Sequence, residues 1–329
     1  MQGANLGSLL TSDLEPIFWT PELLDKMSAW WGHVPFAFWI TVACKPRLLV
    51  ELGTHYGASY AAFCEAVARS RIGTRCYAVD TWAGDAHSGF YGDEIYNELK
   101  DFHDKRYASF SELLRMNFDD ASVFFEDGTI DLLHIDGYHT YEAVRHDFET
   151  WRPKLSERAV VLFHDTNVRR DDFDVWRFFG ELKKELPSFE FLHCHGLGLV
   201  AVGAEAPAAI TELCGLTQSD DIVAVRERFS HFGARWTMVA CKNQESAELR
   251  VQLRQFEDTL ADKDASLAEK DASLAEKDAQ IARVNASPWW RLGMRLDRLI
   301  RKILPHSLSI HLLAPSARQV GDIEGGGTV

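Results

Sequence analysis

From residue 47 to about 203 the sequence alternates short apolar runs with amphipathic stretches, and this alternation restricts what the chain can fold into. The runs are 47–52, 75–80, 113–116, 130–135, 159–163, 189–194 and 197–202. Helical spacing fills the gaps at 58–70, 93–105, 118–125 and 140–151. Apolar runs separated by amphipathic helices read as a parallel sheet covered by helices on both faces. The last two runs lie too close together for a helical crossover, and Gly196 and Gly198 point to an antiparallel hairpin at one edge. The expected fold is α/β: a Rossmann-like doubly wound sheet, mostly parallel with an antiparallel edge hairpin, followed by a C-terminal helical coiled-coil stalk.

The flanks divide by composition. Residues 1–46 read as an N-terminal helical cap, with Pro21 starting a helix after a Thr20 N-cap and Pro46 closing the segment. Trp30, Trp31, Phe36, Phe38 and Trp39 are expected to bury this cap against a core or over a site. After the sheet-forming domain at 47–203, residues 204–243 read as a helical appendage. The segment 244–285 repeats KDASLAE at 263–269 and 270–276. Leu253, Leu260, Leu267, Leu274 and Ile281 recur every seven residues. A neighbouring row holds Leu249, Phe256, Lys263, Lys270, Lys277 and Val284. This is a heptad pattern with apolar ends and lysines in the middle, which fits a coiled coil that makes the protein a homo-oligomer. A solvated single helix of roughly 60 Å is the alternative.

In 286–305, Trp289, Leu292, Leu296, Leu299, Ile300 and Ile303 share one helical face, and Arg291, Arg295, Arg298, Arg301 and Lys302 share the opposite one. Such a basic amphipathic helix suits an anionic membrane surface or a docking protein equally. Residues 306–329 are expected to be a disordered tail.

Charge and cysteine usage narrow the class. Lys and Arg number 35 against 49 Asp and Glu, a formal net charge of −14, which argues against nucleic acid as a partner. The six cysteines form no CxxC pair and read as reduced thiols of a cytoplasmic protein. The first residues lack the basic and apolar regions of a signal peptide.

Polar residues gather at four strand ends. The first run leads into Val50-Glu51-Leu52-Gly53-Thr54-His55-Tyr56-Gly57. Gly53 permits a tight turn, Gly57 permits a ligand to approach the next helix, and Glu51 offers a carboxylate to an ammonium or hydroxyl. A purely structural glycine turn fits the same spacing. Open α/β sheets bind ligands beyond the carboxyl ends of their strands. Asp80 closes the second run where it can meet a ribose or cap a helix, and Trp82 follows where it can face an adenine.

The fourth and fifth ends read His134-Ile135-Asp136-Gly137-Tyr138-His139 and Phe163-His164-Asp165-Thr166. Asp136, His164 and Asp165 are expected to converge on a divalent cation. His139, three residues past Asp136, is placed as a general base. The alternative is a set of strand ends engaged in caps and hydrogen bonds. The glycine-rich loop 83–93 reads as a mobile lid, with Asp85, His87 and Tyr91 as acceptor-binding candidates. His193 and His195 read as ordinary strand histidines.

The runs ELGTHYGAS, AVDTW, IDLLHIDGYHTYEAVRHDFETW and VVLFHDT resemble class I S-adenosylmethionine-dependent methyltransferases found in bacterial polysaccharide and glycosyltransferase gene neighbourhoods, relatives of the macrolide sugar O-methyltransferases. The resemblance covers residues 15–203, and D-G-x-H followed by an H-D strand end is its most specific part. It implies an S-adenosylmethionine site lined by Glu51, Gly53, Thr54 and Gly57, with Asp80, Thr81 and Trp82 around the nucleoside. It further implies a divalent cation, magnesium or manganese, on Asp136 and Asp165, with His139 deprotonating the acceptor hydroxyl. The sequence departs from the metal-dependent relatives at His164, where an acid is usual.

SPWWRLGMRL is similar to segments that close many bacterial glycosyltransferase-associated proteins. The implied activity is O-methylation of a saccharide hydroxyl in cell-envelope polysaccharide synthesis. The implied partners are glycosyltransferases and the inner-membrane surface, the latter through 288–304. A small-molecule O-methyltransferase and a non-catalytic scaffold of a glycosyltransferase complex are the alternatives.

Overall fold

Seven strands form one sheet in the order β5-β2-β1-β6-β7-β9-β8. The computed structural model describes residues 14–24, 26 and 28–303. The strands are β1 Leu48–Leu52, β2 Arg75–Asp80, β5 Ser111–Arg115, β6 Ile130–Ile135, β7 Leu155–His164, β8 Ser188–Phe191 and β9 Leu197–Ala201, and a small separate hairpin pairs β3 Gly84–Asp85 with β4 Gly89–Phe90. The strands from β5 across to β7 are parallel, while β9 runs antiparallel to β7 and to β8. This is the expected doubly wound sheet with an antiparallel edge, and its order reverses between β1 and β6, where such sheets open a crevice.

Two cores lie on the two faces, because neighbouring strand residues point in opposite directions. Leu49, Leu132 and Leu162 join the core beneath the N-terminal segment, whereas Val50, Leu133 and Phe163 join the other. The first core is covered by α1 (Val34–Cys44) and α2 (Ala58–Ser70). Helix α1 is apolar all round and nine of its eleven residues are buried, as befits a helix enclosed by protein. Trp30, Trp31, Phe36, Phe38 and Trp39 are buried as the sequence leads one to expect. The other face carries α4 (Phe118–Ser122), α5 (Tyr141–Trp151) and α6 (Val175–Leu182), while α3 (Asp93–Asp104) packs Ile95 and Leu99 into the first core.

The structure departs from the sequence reading in several places. No helix starts at Pro21; among the described residues the regular turns before α1 are 3-10 segments at Glu15–Phe18 and Ala29–His33. The intervening backbone bonds to α2 side chains instead: Glu22 N–H donates to Glu65 Oε2 at 3.0 Å, and Arg69 Nη1 donates to Thr20 O at 3.2 Å. Helix α6 occupies a stretch to which the sequence reading assigned no element. Strand β7 begins at Leu155 rather than 159, through a register shift against β6.

After α7 (Ala208–Cys214), one helix, α8, runs unbroken over Ser219–Ala286, with no break between the expected appendage and coil. The chain divides into two compact units, Met1–Arg250 and Val251–Val329. In the first unit α8 buries Val225, Phe229, Gly233, Trp236 and Ala240. A side-chain carbon on Gly233 would stand 1.9 Å from the carbonyl oxygen of Gly32, so only glycine lets the helix approach this closely. In the second unit, Leu253, Leu260, Leu267, Leu274 and Ile281 are exposed, and α9 (Pro288–Ile303) follows. The expected tail at 306–329 lies outside the described residues.

Asp131 pins the start of β6. Its carboxylate, 2% exposed, accepts Arg47 Nε, Nη2 and backbone N–H at 2.8–2.9 Å and Ser156 Oγ at 2.5 Å. Asp147 on α5 is buried without such a cation, and burial lifts its pKa to about 7. An unfolded carboxyl titrates near pH ~4, so between the two values the folded chain holds a proton that the unfolded chain releases. Stability from this group is complete below the unfolded pKa and is lost as pH rises through about 7. Asp147→Asn is expected to raise Tm above the wild type at about pH 8 and to leave it nearly unchanged at about pH 4. Parallel melting curves at both pH values would refute this if the gain were equal.

Candidate active site

Four strand exits meet on one rim of the sheet. A cavity of about 330 Å³ opens there, lined by residues of the β1 exit (Gly53 to Ser59), the β2 exit (Asp80, Thr81), the β6 exit (Asp136 to His139), the small hairpin, and Trp30. Gly53 (φ +85°) and Gly57 (φ +81°) adopt left-handed backbone conformations that disfavour side chains. Their missing side chains also make room for protein. A carbon on Gly53 would stand 2.0 Å from the Asp136 carbonyl oxygen, and one on Gly57 would stand 2.4 Å from Leu99. Both glycines line the cavity, but the close approach each permits is to a neighbouring element.

Asp80 braces the turn. Its Oδ2 accepts the backbone N–H groups of Thr54 (2.8 Å) and His55 (2.9 Å), and its Oδ1 accepts that of Trp82 (2.7 Å). Oδ1, with one bond, keeps a further lone pair for a hydroxyl. Thr54 and Thr81 line the cavity as expected. Two buried polar atoms of lining residues, Thr54 Oγ1 and Trp30 Nε1, have no hydrogen-bond partner.

Glu51 and Trp82 sit elsewhere than the sequence reading puts them. Glu51 is fully buried and its Oε2 lies 2.8 Å from Nδ1 of His134, its register neighbour on β6. Burial raises its pKa. Glu51 therefore lies beneath the cavity and does not line it. Trp82 is also fully buried, donates Nε1–H to the His55 carbonyl at 2.9 Å and packs on Tyr96; it offers no face to the cavity.

The acid–imidazole cluster forms at the β6 and β7 exits. His139 Nε2 lies 2.9 Å from Asp165 Oδ2 and 3.6 Å from Asp136 Oδ1. His164 Nδ1 lies 3.4 Å from Asp136 Oδ1 and 3.3 Å from Asp165 Oδ2. Burial works to lower the pKa of His139, but its hydrogen bonds to the two carboxylates prevail and raise it to about 9. His164 is raised as well, against burial, by the charges of Asp136 and Asp165. Both acids are held low: burial opposes this, but the His164 charge and the imidazole hydrogen bonds outweigh it.

Among the described residues, the group whose ligand atoms all lie within 4.8 Å of one another is Asp136, His139 and Asp165. The two carboxylates of this group are hard oxygen donors of the kind that suit magnesium or manganese, and the His139 imidazole stands beside them. His164, expected as a ligand, lies outside that group and acts as a charge partner, stacked against Trp30 at 5.6 Å.

The loop after β2 closes over His139. His87 Nδ1 lies 3.2 Å from His139 Nδ1, and His87 Nε2 lies 2.8 Å from Asp172 Oδ1. Asp172 can only accept, so His87 donates from Nε2 and accepts at Nδ1, and His139 donates from both nitrogens. That proton inventory matches a charged His139. His87 therefore faces His139 rather than the cavity, whereas Asp85 and Tyr91 do line the cavity. Asp85 is engaged within its own turn, accepting the N–H groups of His87 and Ser88.

The sequence reading did not single out His55, Asn117, Phe118 and Tyr138 on the lining, or Asp172 and Phe173 against the two histidines. His195 lies in the turn after β8, with Nδ1 3.2 Å from Asp165 Oδ1, not on a strand.

Comparison with known proteins bears on this rim. Residues 50–166, from β1 through the β7 exit, match the family model described as a methyltransferase domain. An uncharacterized protein of Sinorhizobium fredii is 45% identical over 246 residues, 73% of this chain and 27% of the relative. The chain thus spans about a quarter of the length of the curated relative it matches. A solved O-methyltransferase of Streptomyces achromogenes, involved in tomaymycin synthesis, aligns at 16% identity and TM-score 0.40 over 60% of this chain and 94% of its own. A methyltransferase of Geobacter sulfurreducens aligns at 16% identity and TM-score 0.39, over 52% and 78%.

Because Asp80 holds three backbone amides, Asp80→Ala is expected to lower stability by about 2–4 kcal/mol. A chemical-denaturation midpoint equal to wild type would show that Asp80 does not brace the turn.

Proposed function

We propose that the methyltransferase domain at residues 50–166 transfers a methyl group from S-adenosylmethionine to a hydroxyl oxygen, and that the acceptor is a saccharide of a growing or lipid-linked polysaccharide handled at the cytoplasmic face of the cell envelope. The observation that carries the first part is the cavity at the strand exits. Its glycine turn is braced by Asp80, and the unpartnered buried atoms Thr54 Oγ1 and Trp30 Nε1 fit the polar amino-acid end of the cofactor. Asp80 and Thr81, at the neighbouring exit, fit its ribose.

S-adenosylmethionine supplies an activated methyl carbon, so positioning carries much of the rate. The residues of this chain have the remaining task of orienting the hydroxyl and accepting its proton. His139 Nε2 stands beside both carboxylates at the cavity wall, where it can take that proton. The two acids hold the imidazole protonated. A cation sharing Asp136 and Asp165 would withdraw that support, return the imidazole to its basic form and lower the pKa of a bound hydroxyl.

The saccharide reading is supported by the polar lining, in which Asp85, Asn117, Tyr91 and Tyr138 offer donors and acceptors beside the acid–imidazole cluster. It is supported too by the sequence resemblance to methyltransferases of polysaccharide loci, which brings glycosyltransferases in as partners.

Calorimetry on the full chain tests the first part. S-adenosylmethionine is expected to bind, and Thr54→Val to weaken binding several-fold; a folded sample that shows no binding heat would overturn the reading. Transfer of labelled methyl to saccharide acceptors is expected to fall by about 10²-fold or more in His139→Ala with cofactor binding retained. Unchanged turnover would remove His139 from the mechanism.

A further inference from the structure

Helix α9 is a strongly cationic element of an acidic chain. It carries Arg291, Arg295, Arg298, Arg301 and Lys302 against a single acid, Asp297, while the whole chain has a net charge of −14. At about 100° per residue, Leu292, Leu296, Leu299, Ile300, Ile303 and Trp289 fall within one arc of roughly 100°, and all five cations fall on the opposite side. All six apolar side chains are exposed, Trp289 at 81% and Ile303 at 75%. No described helix is long and apolar enough to cross a membrane.

We propose that α9 is an interfacial anchor: its apolar arc enters the headgroup boundary of an anionic lipid surface while its arginines and Lys302 meet the lipid phosphates. Charge decides between this occupant and a second copy of the chain. The arc has the three-four spacing of a coiled-coil seam at 289, 292, 296, 299 and 303. Pairing two such helices, however, brings two cationic elements together, whereas an anionic surface attracts both. The residues also suit the interface. Trp289 and Trp290 stand at the helix start, and tryptophan prefers the water–lipid boundary. Arginine stems can lie along the apolar arc while their guanidinium groups reach outward. The helix lies in the surface plane and does not span it. This inference is independent of the reaction proposed above, because it uses no residue of the first structural unit.

Co-sedimentation of the full chain with vesicles tests it. Phosphatidylcholine vesicles containing phosphatidylglycerol are expected to bind the chain, with affinity falling as salt is raised. Phosphatidylcholine alone is expected to bind at least about tenfold more weakly. Combined Arg291→Gln, Arg295→Gln and Arg298→Gln should lower binding to the anionic vesicles by about tenfold or more. Leu292→Ser with Leu299→Ser should abolish it, with the thermal transition of the catalytic unit unchanged as the folding control. Equal binding to neutral and anionic vesicles, or no binding to either, would overturn the proposal. So would a lipid-free dimer that the leucine variant dissolves, since the same face would then be occupied by a second copy.

Discussion

Gly53 and Asp136 bring the β1 and β6 exits together backbone against backbone, and the two halves of the rim are built on that contact. A side-chain carbon on Gly53 would stand 2.0 Å from the Asp136 carbonyl oxygen. Gly53 N–H donates to the Val79 carbonyl at 2.9 Å, and Asp136 N–H donates to the Leu52 carbonyl at 2.8 Å. Asp80 then ties the next two amides to the β2 exit. The glycine turn, the β2 acid and the acid–imidazole cluster are therefore held at spacings set by the hydrogen-bond ladder of the sheet. Loops supply the chemistry, and the sheet supplies the distances between its parts.

Beneath the rim lies a buried polar layer that strand periodicity alone does not reveal. Glu51 and His134 are register neighbours, both fully buried, and bonded to each other across β1 and β6. A strand-end acid in a glycine motif invites a role in ligand binding, and the resemblance to methyltransferases implies one here. What settles its surroundings is which residue stands beside it on the adjacent strand, and that is a property of the sheet order. Trp82 presents the same difficulty. Its backbone turns left-handed (φ +48°) two residues after Asp80, and its indole points inward to the His55 carbonyl.

The alternation of apolar runs made the sheet, its parallel majority and its edge hairpin legible, because the central strands β1 and β6 and the edge-hairpin strand β9 are buried on both faces and need an unbroken apolar run. Asp136, His139 and Asp165 were legible as a group because two adjacent exits carry them. Other features depend on contacts distant in sequence. Residues 20–24 are irregular because Glu65 and Arg69 of α2 compete for their backbone groups. Helix α6 is short, and its Val175, Phe178 and Phe179 read as an isolated apolar cluster until the sheet face they cover is known. The pairing of His87 with His139 joins residues 52 positions apart through a loop that no periodicity describes.

His164 gives the cluster a charge balance of its own. Asp136 and Asp165 face two imidazoles whose pKa values are both raised by these carboxylates, so each acid has a cationic partner within the fold. A third carboxylate would leave the site strongly negative and dependent on a cation to be buried at all. With histidine there, the acids are stabilised before any ion arrives, and an incoming divalent cation must displace that stabilisation. Histidine at 164 therefore steadies the two acids without an ion and leaves the proton on His139. In the proposed reaction, the identity of residue 164 would govern both how tightly an ion is held and when the imidazole beside it could act as a base.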